Sequence, residues 1–318
     1  MNTNVPRDAF PSGALIADTV RIHRVGVLAW TLGGAAAMLF TGLTLVEEMR
    51  TFPGGPKALE LSVLPGVQAF RLLRWPAEHL DTLGGYLTYH NIGFLAFFLA
   101  LYGAMQGARS LRGSEERGSA EMILSTGWRP WAVIRDRSLG FAIGLAIITS
   151  GLAAATAISM AFGEQSDLVG SVVTMVGVGL CGLCGFGIGV LLAQLTPNST
   201  VAAGLGAIAL TGLYVVTNVQ ENVGALGWLA YASPFYYANK SRALVPGYGL
   251  DVGATAVLVL MAVALLAVSA WAFTRRDYGA PLWALRTRKQ RTARAPRIQG
   301  TMRRTLTAYY LDRGKVGI

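Results

Sequence analysis

Six long apolar runs, none of which contains Asp, Glu, Lys or Arg, dominate the pattern of this sequence. Each is about long enough to cross the ~30 Å hydrocarbon core of a bilayer at 1.5 Å per residue, and the fifth is the shortest. The pattern therefore predicts an all-α polytopic membrane protein with six transmembrane helices. The predicted spans are residues 25–46, 86–108, 138–162, 169–195, 201–217 and 252–273.

The composition agrees with a membrane protein. Of the 318 residues, 53% are hydrophobic and 14% are charged, which leaves too little polar surface for a soluble globule of this size. Residues 1–24 lack the apolar core and cleavage site of a secretory signal, so we expect no cleaved leader. Apolar residues alternate there with Asp18, Arg21 and Arg24, which predicts an amphipathic interfacial helix that leads into the first span.

The distribution of Lys and Arg predicts the orientation. With the N-terminus in the cytoplasm, the inner segments hold 21 of the 27 basic residues, and the outer segments, mainly residues 47–85 and 218–251, hold six. The positive-inside rule therefore places both termini in the cytoplasm. In the basic tail, residues 274–318, we expect contact with anionic lipids at roughly 1 kcal/mol per basic residue. Docking of a protein partner is an alternative, and no nucleic-acid partner is expected.

The most organised polar segment is residues 109–137, between the second and third spans. Ser114, followed by Glu115 and Glu116, is a plausible start for a short amphipathic helix, because a hydroxyl caps a helix N-terminus and acids suit its dipole. Gly127 is the expected end of that helix. A further helical turn is predicted from Pro130 into the third span.

The sequence contains none of the common motifs that would power transport. The spans hold no carboxylate of the kind that ion-coupled carriers use. There is no G-x-x-x-x-G-K-[ST] phosphate loop, so we expect this chain to bind no cofactor, with ATP and magnesium bound by a partner ATPase. Hydrolase motifs such as H-E-x-x-H and G-x-S-x-G are also absent, so no catalytic residue is predicted.

Three segments carry a resemblance to a known family. EERGSAEMILSTGWRPWAVIRDR (Glu115–Arg137) looks like the coupling region of type-2 ABC exporter permeases. YASPFYYANKSRAL (Tyr231–Leu244) and WAFTRRD (Trp271–Asp277) are similar to the closing segments of such permeases. DTLGGYLTYHNIGFLAFF (Asp81–Phe98) resembles the second-span entry of actinobacterial antibiotic exporters of the tetronasin-resistance type, although those relatives often have two six-span halves in one chain.

The resemblance implies a type-2 ABC exporter permease fold in a bacterial plasma membrane. It also implies a second permease, identical or not, two ABC ATPase subunits, and export of a hydrophobic or amphiphilic compound such as an antibiotic, a drug or a lipid. The alternative is a polytopic membrane protein outside the ABC class, such as a secondary carrier or an assembly factor.

Two sets of candidate site residues follow. A coupling helix needs charge for register and apolar residues for a desolvated centre, although a merely solvated loop would also be charged. The coupling candidates are Glu115, Glu116, Arg117, Glu121, Met122 and Ile123. A polar and aromatic stripe on the second and fifth spans would suit an amphiphilic substrate, although ordinary packing is the simpler interpretation. Its members are Asn91, Phe94, Phe98, Tyr102, Met105, Thr211, Tyr214 and Asn218.

Two further features could suggest chemistry. Cys181 and Cys184 lack the other ligands of a closed zinc site, and the glycines around them predict close helix packing instead, so no metal site is expected. His90, near the start of the second span, is interpreted as a hydrogen-bonded packing residue, with a pore role as the alternative.

Overall fold

The computed structural model describes residues 13–51, 75–76, 78–125, 128–163, 166–220 and 223–275. These residues belong to the first of two units, Met1–Leu282; the second, Trp283–Ile318, is outside the described residues. The same holds for Gly127 and for the predictions on the basic tail. The elements are α1 (Ala14–Thr51), α2 (Leu83–Leu87), a π-helical turn (Thr88–Ile92), α3 (Gly93–Glu116), α4 (Ser119–Ser125), α5 (Pro130–Phe162), α6 (Leu168–Leu195), α7 (Ser199–Val219), a 3-10 turn (Gly224–Leu226), α8 (Gly227–Ala230), α9 (Pro234–Lys240) and α10 (Val252–Arg275).

The prediction of an all-α protein with six transmembrane helices is confirmed. Six helices are long and apolar enough to cross a membrane: α1, the continuous α2–α3 helix, α5, α6, α7 and α10. No strand occurs in the part of the chain that the structure describes. Each predicted apolar run falls inside one of these helices, which extend further than the runs because their ends carry polar residues.

Local sequence signals account for several helix ends. The carboxylate of Asp167 accepts a hydrogen bond from the backbone N–H of Gly170 at 2.7 Å, and Asn198 accepts one from Val201 at 2.8 Å. These N-caps satisfy N–H groups that have no partner inside α6 and α7. α5 begins at Pro130, as predicted, with proline in the first turn, where no donor is needed.

The core is built on close contact between α3 and α6. A methyl group added at Gly103 or Gly107 would overlap the carbonyl oxygens of Gly182 or Phe186, and one at Gly185 would overlap that of Ala100. The backbones therefore approach more closely than any side chain would allow, which is the small-residue packing typical of membrane helices. The close packing predicted around the two cysteines is thus confirmed.

A second pair, α1 and α5, packs along this core. The Ser159 hydroxyl donates to the Met38 carbonyl at 3.2 Å, and Gly42 lies against Ser159. Much of α1 faces outward, with Val25 and Phe40 each 70% exposed. We call the end of the bundle where α3 finishes and α7 begins the α4 end, and the opposite end, where α2 begins, the α9 end.

One expectation about a polar segment is corrected. Ser114 does not start a helix: α3 continues to Glu116, and the Ser114 hydroxyl donates back to the Leu111 carbonyl at 2.6 Å inside the last turns of α3. The helix expected before the first span leads directly into it, because α1 runs without interruption from Ala14. Both α1 and α3 therefore continue through polar residues beyond their apolar runs.

Candidate functional site

The predicted coupling segment forms a tight corner at the α4 end. Gly118 turns the chain after α3 with φ of 72°, a conformation that glycine adopts without steric cost. α4 then follows at once, from Ser119. The Ser119 hydroxyl donates to the Ser114 carbonyl at 3.0 Å, which ties α4 to the end of α3. The position of α4 is therefore set by the span that precedes it.

A buried arginine braces this corner. The side chain of Arg112 is only 3% exposed, yet its charge is fully engaged. Its Nε donates to the carbonyl of Pro197 at 2.9 Å, and its Nη1 donates to the Glu115 carboxylate at 2.7 Å. Pro197 lies between α6 and α7, so the guanidinium fork connects the end of α3 to the connection between the fourth and fifth spans.

Glu116 makes a second connection to the fifth span. Its carboxylate accepts hydrogen bonds from the backbone N–H of Ser199 at 2.6 Å and from the Ser199 hydroxyl at 2.7 Å. Ser199 is the first residue of α7. A carboxylate is well placed there, because the N-terminus of a helix has unpaired N–H groups and a partial positive charge.

The structure divides the six coupling candidates into two groups. Glu115 and Glu116 are hydrogen-bonded within the chain, and Ile123 packs against the core. Arg117, Glu121 and Met122 are exposed, with Met122 at 65%. Glu116 is exposed as well, so the corner presents a charged surface with one apolar side chain, and Arg112 and Glu116 connect it to Pro197 and to the start of α7.

The substrate-path candidates on α3 are not equivalent. Phe98 and Met105 are 49% and 38% exposed, whereas Tyr102 is buried with its ring 5.7 Å from Trp30. Asn91 faces α1, where its amide nitrogen lies 3.8 Å from the sulfur of Met38. Phe98 and Met105 therefore remain available to a ligand or lipid, and Asn91 and Tyr102 lie against α1.

The candidates on α7 meet those on α3 through an aromatic cluster. The Tyr214 ring lies 6.4 Å from Phe94, 4.7 Å from Phe97 and 5.2 Å from Phe235. Thr211 is exposed and Asn218 is half-buried. Phe97 and Phe235 were not predicted as members of this group, and Phe235 is fully buried. The position of Phe97, three residues after Phe94, was the available signal.

The cysteines and His90 are integrated into the packing. The Cys181 thiol donates to the Pro234 carbonyl at 3.7 Å, and the Cys184 thiol donates to the Leu258 carbonyl at 3.6 Å. The His90 ring stacks on Tyr86 at 4.0 Å and meets Tyr89 edge to face at 4.8 Å, within the π-helical turn.

Comparison with known proteins supports the interpretation of this architecture. The profile of the family described as "ABC-2 family transporter protein" matches residues 29–278, more than three quarters of the chain. No curated protein matches the sequence. The matched region contains most of α1 and all five other membrane helices, together with the α3–α4 corner. The chain therefore belongs to the ABC-2 transporter family, and it is the membrane-spanning permease component of an ABC transporter.

Proposed function

We propose that this permease is one half of an ATP-driven exporter in the bacterial cytoplasmic membrane. It pairs with a second permease, identical or different, and with two ATPase subunits that bind ATP and magnesium. Both termini and the α4 end face the cytoplasm, and the basic tail meets anionic lipid there. Family membership removes the alternative of a carrier or an assembly factor unrelated to ABC transporters.

The bonds between the α3–α4 corner and the start of α7 are the observation that carries this proposal. Arg112 donates to the Pro197 carbonyl, and Glu116 accepts from Ser199. A displacement of α4 would therefore be transmitted to both the second and the fifth span. The exposed residues Arg117, Glu121 and Met122 offer the ATPase its contact, and the inner bonds transmit the motion. Alternating access requires that the ATPase contact and the spans move together.

The transported compound is hydrophobic or amphiphilic, in keeping with the resemblance to tetronasin-type antibiotic exporters. The surface that supports this is the outer face of α3 and α7, where Phe98, Met105 and Thr211 are exposed. It offers aromatic and thioether contact area beside a single hydroxyl.

Charge reversal on α4 tests the ATPase contact. The permease and the ATPase encoded beside it are co-purified and reconstituted, and permease-stimulated ATP hydrolysis is measured. Glu121→Arg should return hydrolysis to the unstimulated rate, because Glu121 is exposed and makes no hydrogen bond within the described chain that could be disturbed. Glu47→Arg, an exposed acid at the α9 end, is the matched control and should leave stimulation unchanged.

Two outcomes would contradict the assignment of α4. One is full stimulation by Glu121→Arg and by Met122→Asp; the other is equal loss in the Glu47→Arg control. Both require that each variant inserts into the membrane at the wild-type level, which a protease-protection assay checks. The same assay, with cysteine labels at Ser125 and Thr51, tests whether the α4 end is cytoplasmic.

The substrate face needs its own test. Phe98→Ala and Thr211→Ala should lower export of amphiphilic drugs while drug-free ATP hydrolysis stays at the wild-type rate. Phe162→Ala is the control, since Phe162 is 53% exposed but lies at the end of α5. If export of every tested drug is unchanged in both variants, these side chains serve packing or lipid contact instead.

A further inference from the structure

A cleft of about 490 Å³ opens between α1 and α3 at the α4 end of the bundle. This volume lies within the range of about 300–1,000 Å³ that is usual for small-molecule sites. The charged and titratable residues that line it are Asp18, His23, Arg109, Arg117 and Arg137. Three guanidinium groups therefore face one carboxylate, and the cleft is positive by two charges with His23 neutral.

The three cleft arginines differ from the two braced ones. Arg112 and Arg242 each contact a glutamate, whereas no ion pair among the described residues engages Arg109, Arg117 or Arg137. Arg137 interacts electrostatically with both Asp18 and Arg117, which places these charges around one part of the cleft. One carboxylate, Asp18, offsets only part of the charge of the three guanidinium groups, so the cleft favours an external anion; charge-assisted bonds from arginine to phosphate are strong and often bidentate.

The mouth of the cleft leads onto an apolar surface. Ile22 lines the cleft and is 68% exposed, and Val25 and Leu32 continue from it along α1 at 70% and 67% exposure. This track belongs to a membrane-spanning helix, so hydrocarbon chains lie beside it. An occupant that satisfies both parts has an anionic head and an apolar tail.

We propose that this cleft binds the phosphate headgroup of an anionic phospholipid, whose acyl chain follows α1 from Ile22 toward Leu32. Apart from Arg117, the cleft shares no lining residue with the proposed ATPase contact or with the outer face of α3 and α7, so it goes beyond the export function proposed above. Arg109 and Arg137 contact the phosphate, and Asp18 limits the affinity.

Native mass spectrometry of the detergent-purified full chain tests the site, with phosphatidylglycerol and phosphatidylcholine added in turn. Bound phosphatidylglycerol should exceed phosphatidylcholine, and Arg109→Gln and Arg137→Gln should each lower its affinity about fivefold, the factor equivalent to about 1 kcal/mol per basic group. Asp18→Asn should raise the affinity by a similar factor. Arg24→Gln and Arg50→Gln are controls, because both are exposed arginines outside the cleft.

Several results would overturn the proposal. If the control variants lose as much affinity for phosphatidylglycerol as the cleft variants, the lipid is attracted to the basic surface in general. If phosphatidylglycerol and phosphatidylcholine bind equally, the cleft does not select the headgroup. Displacement of the lipid by millimolar inorganic phosphate would show that the cleft takes a free anion. Because Arg137 is half-buried, its variant is accepted only if it elutes as a single species; Arg109→Gln and Asp18→Asn decide the question without it. None of these outcomes bears on ATPase stimulation.

Discussion

Each end of the bundle is held by a buried arginine that bonds to a proline carbonyl and to a glutamate, but the surroundings of the two arginines differ. At the α4 end, Arg112 donates to the carbonyl of Pro197 and to Glu115; at the α9 end, Arg242 donates to the carbonyl of Pro76 and to Glu78. The second span separates the two braces, because Pro76 and Glu78 precede its start and Arg112 lies in its last turns. Each arginine reaches a proline carbonyl in a distant connection.

The difference lies in the carboxylates. Glu115 is 7% exposed, so the pair at the α4 end is shielded from water, whereas Glu78 is 37% exposed and remains hydrated. Arg242 gains additional support from the ring of Tyr248, 4.3 Å from its guanidinium carbon. A shielded pair is costly to break because the remaining charge stays buried. We therefore expect the α4 end to be the more rigid of the two, which suits the transmission of force, and the α9 end to rearrange more easily.

The largest effect is expected from Arg112→Met. The variant keeps the apolar stem but leaves the Glu115 carboxylate without its guanidinium, which should lower the free energy of unfolding by about 3–5 kcal/mol. An SDS titration in mixed micelles, followed by circular dichroism, measures this loss. Arg24→Met is the control, because Arg24 is exposed and no ion pair among the described residues engages it, so stability should change by less than about 0.5 kcal/mol. Equal, small losses in both variants would refute a brace at this end.

A smaller loss is expected from Arg242→Met at the other end. Glu78 can return to water when the guanidinium is removed, so we expect about 1–3 kcal/mol, mostly from the lost bonds to Pro76 and the lost packing on Tyr248. The same titration measures it. Arg242→Lys separates the contribution of charge from that of geometry, since lysine keeps the positive charge but lacks the planar guanidinium that binds two partners at once. If Arg242→Met lowers the free energy of unfolding by more than Arg112→Met does, the α9 end is the more strongly braced end, contrary to this prediction.

The smallest effect on stability is expected from Glu116→Ala, which removes the carboxylate at the N-terminus of α7 but leaves the Asn198 cap in place. Loss of a carboxylate from a helix N-terminus costs up to about 1 kcal/mol. The bonds from Glu116 to Ser199 are exposed, so water replaces them in part. ATPase stimulation should nevertheless fall, because one link between α4 and the fifth span is gone. A variant with unchanged stimulation and unchanged stability would show that Glu116 does not connect the corner to α7.

Sequence reasoning was accurate where one chemical constraint acts over many residues. A bilayer admits no unpaired backbone polar group and few charges, so uncharged apolar runs identify membrane helices directly. The close packing around Cys181 and Cys184 was also predictable, since glycines four residues apart in a membrane helix favour close contact with the backbone of a neighbouring helix. The family followed from short motifs in the polar connections between the helices.

The roles of individual polar residues depended on the partners that the tertiary structure supplies. Ser114 has the local signature of an N-cap, but nothing in its neighbourhood shows that α3 continues past it. The sequence gives no sign that Glu116 has a hydrogen-bond partner, because that partner, Ser199, lies 83 residues away. The same limit applies to Arg112 and Pro197.

The sequence by itself determined that this protein crosses a membrane six times and carries a distinct polar segment between its second and third spans, because solvation by lipid constrains every position of a helix. Only the tertiary structure decided which residues of that segment are braces and which are exposed, because hydrogen-bond partners far apart in the chain become neighbours only after the helices pack. The segment from Arg109 to Arg137 thus remains the expected attachment point for the ATPase, and among its six coupling candidates Arg117, Glu121 and Met122 are exposed and make no side-chain hydrogen bond within the described residues.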